Sequence, residues 1–186
     1  RVEKVYDGNA TVQLVGSDFA VDGVLPGDRV AVTRLTGTYT TAGTAQQIRN
    51  VGTGKRVVVD DLTFQADADG RPVYGYSLAQ HSVSADLGAI TPRPLSVGAI
   101  TAEDKTYDGT VQAVVSTSGA QFQGLILGDD LQLSATGVFA DRHAGADKVV
   151  TLTSTYGGAD RVNYAITDQP TAMANIAKAP ATVTAR

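Results

Sequence analysis

The sequence predicts an all-β protein in which one small fold is used twice, and three observations carry that prediction. Short runs of alternating or continuous apolar residues, rich in Val and Thr, recur along the chain, and no stretch has a convincing apolar stripe of helical period. Turn signals separate the runs at the spacing of a sandwich or barrel: Asp7-Gly8, Pro26-Gly27-Asp28, Asp69-Gly70, Gly128-Asp129 and Gly157-Gly158. The third observation is self-similarity, because "KVYDG" at Lys4 returns as "KTYDG" at Lys105.

Taken in order, strands are expected over residues 10–15, 28–35 and 55–64, then over 130–139 and 148–156. The offset that carries Lys4 onto Lys105 also carries "VLPGDRVAV" (24–32) onto "LILGDDLQL" (125–133). Farther on, "KRVVV" pairs with "DKVVT", "YSL" (76–78) with "YAI" (164–166), and "AITPRPLSV" (89–97) with "NIAKAPATV" (175–183). The alanine-rich "TAMANIAKAP" suits a helix locally, but this last match makes it a strand. Ordered matches over the whole chain predict a first repeat at 1–91 lacking its opening strand, a second at 92–178, and the start of a third at 179–186. Copies of that length, with seven or so short strands each, fit two tandem immunoglobulin-like β-sandwich repeats, with one large barrel as the competing architecture. Pro92 and Pro94 lie at the join and favour a short extended tether.

Composition removes several classes of function. A net charge of -4, with 15 scattered Lys and Arg, gives no basic field for nucleic acid or acidic lipid. No apolar run approaches a membrane-spanning helix. With no cysteine, disulfides, zinc-thiolate sites and thiol nucleophiles are excluded. The chain opens at Arg1 with no charged and apolar leader, and is read as a piece of something longer. Neither cofactor nor enzymatic activity is expected, and the segment is expected to be a monomer.

The repeated motif admits two readings. An aspartate beside a tyrosine is capable of acid-base work, whereas a fold corner needs the same residues for geometry. The corner is favoured: Gly8 and Gly109 take positive φ, and Asp7 and Asp108 bond nearby backbone N–H groups. Tyr6 and Tyr107 then pack at the core edge beneath the stems of Lys4 and Lys105. Loss of the Tyr107 ring is expected to cost roughly 3 kcal/mol, as for a buried aromatic. A minority covalent reading joins Lys105 to Asn163 as an isopeptide, but Gly75 replaces the asparagine in the first copy.

Other candidates are weaker. "ADADG" (66–70) begins like a calcium loop but lacks its downstream glutamate, and Asp60-Asp61 or Asp129-Asp130 are minority calcium donors. His81 and His143 do not match across the repeats, and "GTGK" (52–55) lacks full phosphate-loop spacing. With no Trp, a sugar platform reduces to Tyr39, Tyr156 and above all the pair Tyr74 and Tyr76, of which Tyr76 matches Tyr164.

The motif "K-x-YDG", the following "GD" turn, the "AG" before an apolar strand, "NYAI" and the closing "ANIAKA" resemble the YDG-type repeat domains of large secreted bacterial haemagglutinin-like adhesins. That resemblance implies two-partner secretion, an extracellular place at the cell surface or in biofilm matrix, and neighbouring repeats as partners. The implied role is a stalk that projects an adhesive region. The alternative is a module that itself recognises polysaccharide or a host glycoprotein.

Overall fold

A computed structural model describes residues 1–185. The chain is all-β apart from two single-turn 3-10 helices, Gly16–Asp18 and Arg161–Asn163, and it divides into two compact units, Arg1–Pro92 and Arg93–Arg186.

In the first unit the strands are β1 (Val2–Val5), β2 (Thr11–Gln13), β3 (Arg29–Val32), β4 (Thr36–Thr40), β5 (Gly52–Val59), β6 (Phe64–Ala68), β7 (Arg71–Pro72) and β8 (Val83–Thr91). A five-stranded sheet has the order β1-β8-β5-β4-β2, and a smaller one the order β3-β6-β7. Consecutive strands β1 and β2 thus form its two opposite edges. Asp69 and Gly70, at φ +50° and +77°, make the two-residue turn between β6 and β7.

The second unit holds β9 (Arg93–Gly98), β10 (Thr101–Ala102), β11 (Lys105–Thr106), β12 (Gln112–Ala113), β13 (Val115–Ser116), β14 (Gln121–Gln123), β15 (Gln132–Phe139), β16 (Gly145–Gly157), β17 (Tyr164–Thr167) and β18 (Thr171–Ala177). Its five-stranded sheet runs β11-β18-β16-β15-β12, beside a three-stranded sheet β14-β9-β17 and a two-stranded ladder β10-β13.

Register shows the same construction in both large sheets. Lys4 lies beside Ile90 in a parallel pair, and Lys105 beside Ile176 in another. Each has a bulge on the strand beyond, between Gly52 and Lys55 and between Gly145 and Lys148, with Gly54 and Asp147 at positive φ. Lys55 therefore corresponds to Lys148, one place away from the pairing of "KRVVV" with "DKVVT", because the lysine follows the bulge glycine by three residues in both units. The long hairpin of β15 and β16 is interrupted in the first unit into β4/β5 and β3/β6. Its register survives the break, since equal lengths of chain separate Val32 from Tyr39 and Val57 from Phe64.

Alternation on these strands builds a core in each unit. Tyr6, Val12, Tyr39, Val57 and Ile90 are buried in the first, and Leu95, Phe139, Val150, Tyr164 and Ile176 in the second. The sheets curl in a barrel-like way, with parallel and antiparallel pairs mixed, and facing antiparallel sheets of immunoglobulin type are not clearly formed. Residues 179–185, the expected start of a third copy, carry no strand and are exposed, and Arg186 lies outside the described residues.

Candidate functional site

The repeated motif forms a lysine-centred seam. In β1 the Lys4 ammonium donates to Asp7 Oδ1 at 2.6 Å, the Asn9 carbonyl at 2.8 Å, Asn9 Oδ1 at 3.0 Å and the Thr11 carbonyl at 2.8 Å. Lys105 does the same with Asp108 Oδ1 at 2.9 Å, the Thr110 carbonyl and hydroxyl at 3.0 and 3.1 Å, and the Gln112 carbonyl at 2.9 Å. Each ammonium lies over an aromatic ring, Tyr39 at 5.8 Å and Phe139 at 5.4 Å from the centroid. Thr11 begins β2 and Gln112 begins β12, so each lysine bridges the opposite edges of its five-stranded sheet. An ammonium on a flexible stem has the reach and the three donors to close a seam that backbone pairing leaves open.

The turn follows from its residues. Gly8 and Gly109 have φ +81° and +80°. The carboxylates accept the N–H groups of Asn9 at 3.1 Å and Thr110 at 2.8 Å. Burial pushes the Asp7 carboxyl up, but the Lys4 and Asn9 bonds outweigh it and leave its pKa lowered. Asp108, bonded first by Lys105 and then by Thr110, is held at about 2. Lysine and aspartate are therefore both committed to the turn.

The rings beneath the two ammonium groups are Tyr39 and Phe139. Tyr6 is 0% exposed, but Tyr107 is 38% exposed, which corrects its reading as a buried anchor. The physical reason is loop length. A long connection separates β4 from β5 and sends Arg49 to the Gly8 carbonyl at 3.5 Å, whereas the link from β15 to β16 is short. The supporting rings had a visible signal, since "TGTY" (36–39) and "TGVF" (136–139) repeat too. Gly88 makes room for the Tyr39 ring, because a Cβ there would lie 2.4 Å from it.

Tyr76 belongs to a second repeated tie. Its hydroxyl donates to Asp28 Oδ2 at 2.7 Å and accepts the Leu25 N–H at 2.9 Å. Tyr164 donates to Asp129 Oδ2 at 2.5 Å and accepts the Ile126 N–H at 3.0 Å. Burial, then the Asp129 bond, pushes Tyr164 up to about 12. Tyr74 is 92% exposed, and with Tyr76, Phe64, Gln65 and Asp67 it lines an open groove of about 690 Å³.

The remaining candidates do not converge. Asp67 Oδ1 accepts the Gly70 N–H at its own hairpin tip, and Asp60 accepts the Ser82 hydroxyl. Among the described residues no group of three or more His, Asp or Glu is placed to hold a metal ion. His81 and His143 are both exposed, in separate units. Lys105 is held in its seam, while the buried Asn163 amide donates to Asp160 Oδ1 at 3.4 Å, so the structure does not join them as an isopeptide.

Two all-β units that repeat one lysine seam and one tyrosine-aspartate tie define a tandem-repeat protein. The family model of the YDG domain matches residues 1–83 and again 91–172, and the chain belongs to that family. Neither the curated proteins nor the solved structures gave a match.

Proposed function

We propose that this chain is a stalk segment of a large bacterial surface or biofilm-matrix adhesin, a spacer that projects an adhesive region from the cell. Each unit then serves as one immunoglobulin-like building block of a secreted, extracellular protein exported by two-partner secretion, with neighbouring repeats as its partners. The observation that carries this reading is that the ammonium and carboxylate of the repeated motif are spent on closing their own unit, in both copies. A motif kept for geometry suits a repeated support better than a repeated catalytic site.

The groove at Tyr74 favours a second reading, a module that binds polysaccharide or a glycoprotein glycan. Aromatic faces beside Gln65 and Asp67 are the kind of surface on which a sugar ring stacks. Glycan arrays probed with the labelled chain decide between the two. The spacer reading expects no saturable signal, and saturable binding lost in Tyr74→Ala would replace it with the binding module.

A further inference from the structure

Side chains alternate along β15, β16 and β18, so one face of the second unit's large sheet holds Phe139, Val150 and Ile176 in the core and the other is turned to solvent. That outer face carries no charge. Its positions on β15 (alternate residues from Gln132 to Val138), on β16 (alternate residues from Val149 to Thr155) and on β18 (Thr171 and Met173) are all uncharged, in a chain with 18% charged residues. Met173, 54% exposed, lies directly opposite Val149, 43% exposed, and Val138 is 40% exposed on the next strand. Threonines surround this apolar patch. The sheet is complete, with β11 and β12 as its edges and Lys105 joining them, so the face is not a gap left by a missing strand. The first unit has no such face. Tyr39 pairs with Val57 as Phe139 pairs with Val150, so Arg56 stands where Val149 does, and its guanidinium lies 3.6 Å from the Asp86 carboxylate.

The chemistry of the face selects its occupant. A charged partner finds nothing to pair with, and a sugar finds no ring to stack on, because none of these outward positions is aromatic. Each copy of the chain has a net charge of -4, so two copies approach best through a surface that has none. Four strands about 4.8 Å apart, with a rise of about 3.4 Å per residue, give the face about 500 Å² over the eight residues of β15. Two such faces in contact bury about 1,000 Å², the lower limit for a specific interface. We propose that the second unit pairs with the second unit of another copy through this face, sheet against sheet, with Val138, Val149 and Met173 at the centre. Facing sheets interdigitate their side chains at a separation of about 10 Å. One patch serves both partners, so the contact is isologous and closes at two chains. The pairing stands whether the chain is a spacer or a glycan binder, and between spacers it joins neighbouring stalks. The isolated chain is then not the monomer expected from its sequence.

Sedimentation equilibrium on the full chain, from about 10 μM to about 1 mM, covers the affinities a contact of this area gives. Mass should rise from 19.2 kDa to twice that value and stop there. Val149→Lys and Val149→Glu both change an exposed residue, and each should leave the fold intact and weaken the dimer about tenfold or more, because like charges then meet across the contact. An equimolar mixture of the two should associate more tightly than either alone, which a merely damaged fold would not do. Thr36→Lys, on the outer face of the first unit, should leave the midpoint unchanged. A monomer at every concentration, a dimer undiminished by Val149→Lys, a mixture no tighter than its components, or equal weakening by Thr36→Lys would each overturn the proposal. So would saturable binding of a neutral polysaccharide by a chain that stays monomeric, if Val149→Lys abolished it, since the face would then belong to a sugar.

Discussion

Lys4 and Lys105 meet nearly the same set of oxygens, yet the tyrosine two residues on is sealed in one unit and open in the other. Nothing inside the motif accounts for that contrast. It arises from the distant connection between β4 and β5, which is long in the first unit and brings Arg49 to Gly8. A repeated motif therefore fixes the contacts its own atoms make, while burial is set by whatever the rest of the chain lays over it.

The largest expected effect sharpens this contrast. Tyr6→Ala should destabilise the first unit by about 4 kcal/mol, as for loss of a fully buried aromatic. Tyr107→Ala should cost the second about 1 kcal/mol, as for a partly exposed side chain. Calorimetry that resolves the two transitions checks the pair, and equal losses would break the comparison.

Next come the lysines, where the units should agree. Lys4→Met and Lys105→Met each keep a stem over the ring but strip the oxygens of their donor, at a cost of about 2 kcal/mol each. Denaturant unfolding measures both. A lysine substitution that leaves its unit's midpoint unmoved would mean the seam is closed by backbone alone.

The tyrosine-aspartate ties should differ modestly. Tyr164 is 3% exposed, whereas Tyr76 is only half-buried, so Tyr164→Phe should cost about 1 kcal/mol and Tyr76→Phe less. A spectrophotometric titration of the seven tyrosines should find two, Tyr156 and Tyr164, ionising near 12, with one of the two lost from the Tyr164→Phe trace. The folded pKa of Tyr164 lies above the unfolded value, so the stability it lends is complete below about 10 and fades as pH climbs toward 12.

The smallest effect is acid sensitivity. Asp108 is depressed from 3.8 to about 2, so its contribution is present above pH 4 and is lost as pH falls through 2. Carboxyl resonances followed by NMR should place its midpoint near 2, returning toward 3.8 in Lys105→Met.

Much of this was legible in the sequence. Strand periodicity and the twin motif give the all-β class and family membership, because both are written in local residue types. The turn was legible too, since Asp-Gly has few conformations to choose from. What the oxygens surround was not. Tyr39 and Phe139 reach the lysine through sheet order, which sets β1 and β2 at opposite edges, and no spacing between residues reveals that order. The one-residue slip at Lys55 has the same origin, because a bulge leaves no mark in the apolar pattern beyond a residue at positive φ, glycine in one copy and aspartate in the other.

The parallel pairing of β1 with β8 has a mechanical meaning. These are the first and last strands of the unit, lying side by side and pointing the same way, with Val2 to Val5 against Gly88 to Thr91. A pull on the two ends of the unit would enter through one strand and leave through the other. It would have to slide the whole ladder at once, where an antiparallel pair gripped at its open end peels apart one rung at a time. The Lys4 ammonium pins the same strand to its far neighbour through the Thr11 carbonyl, so slippage would also have to tear that bond. Resistance to tension is thus concentrated in a few short contacts at the point where load comes in.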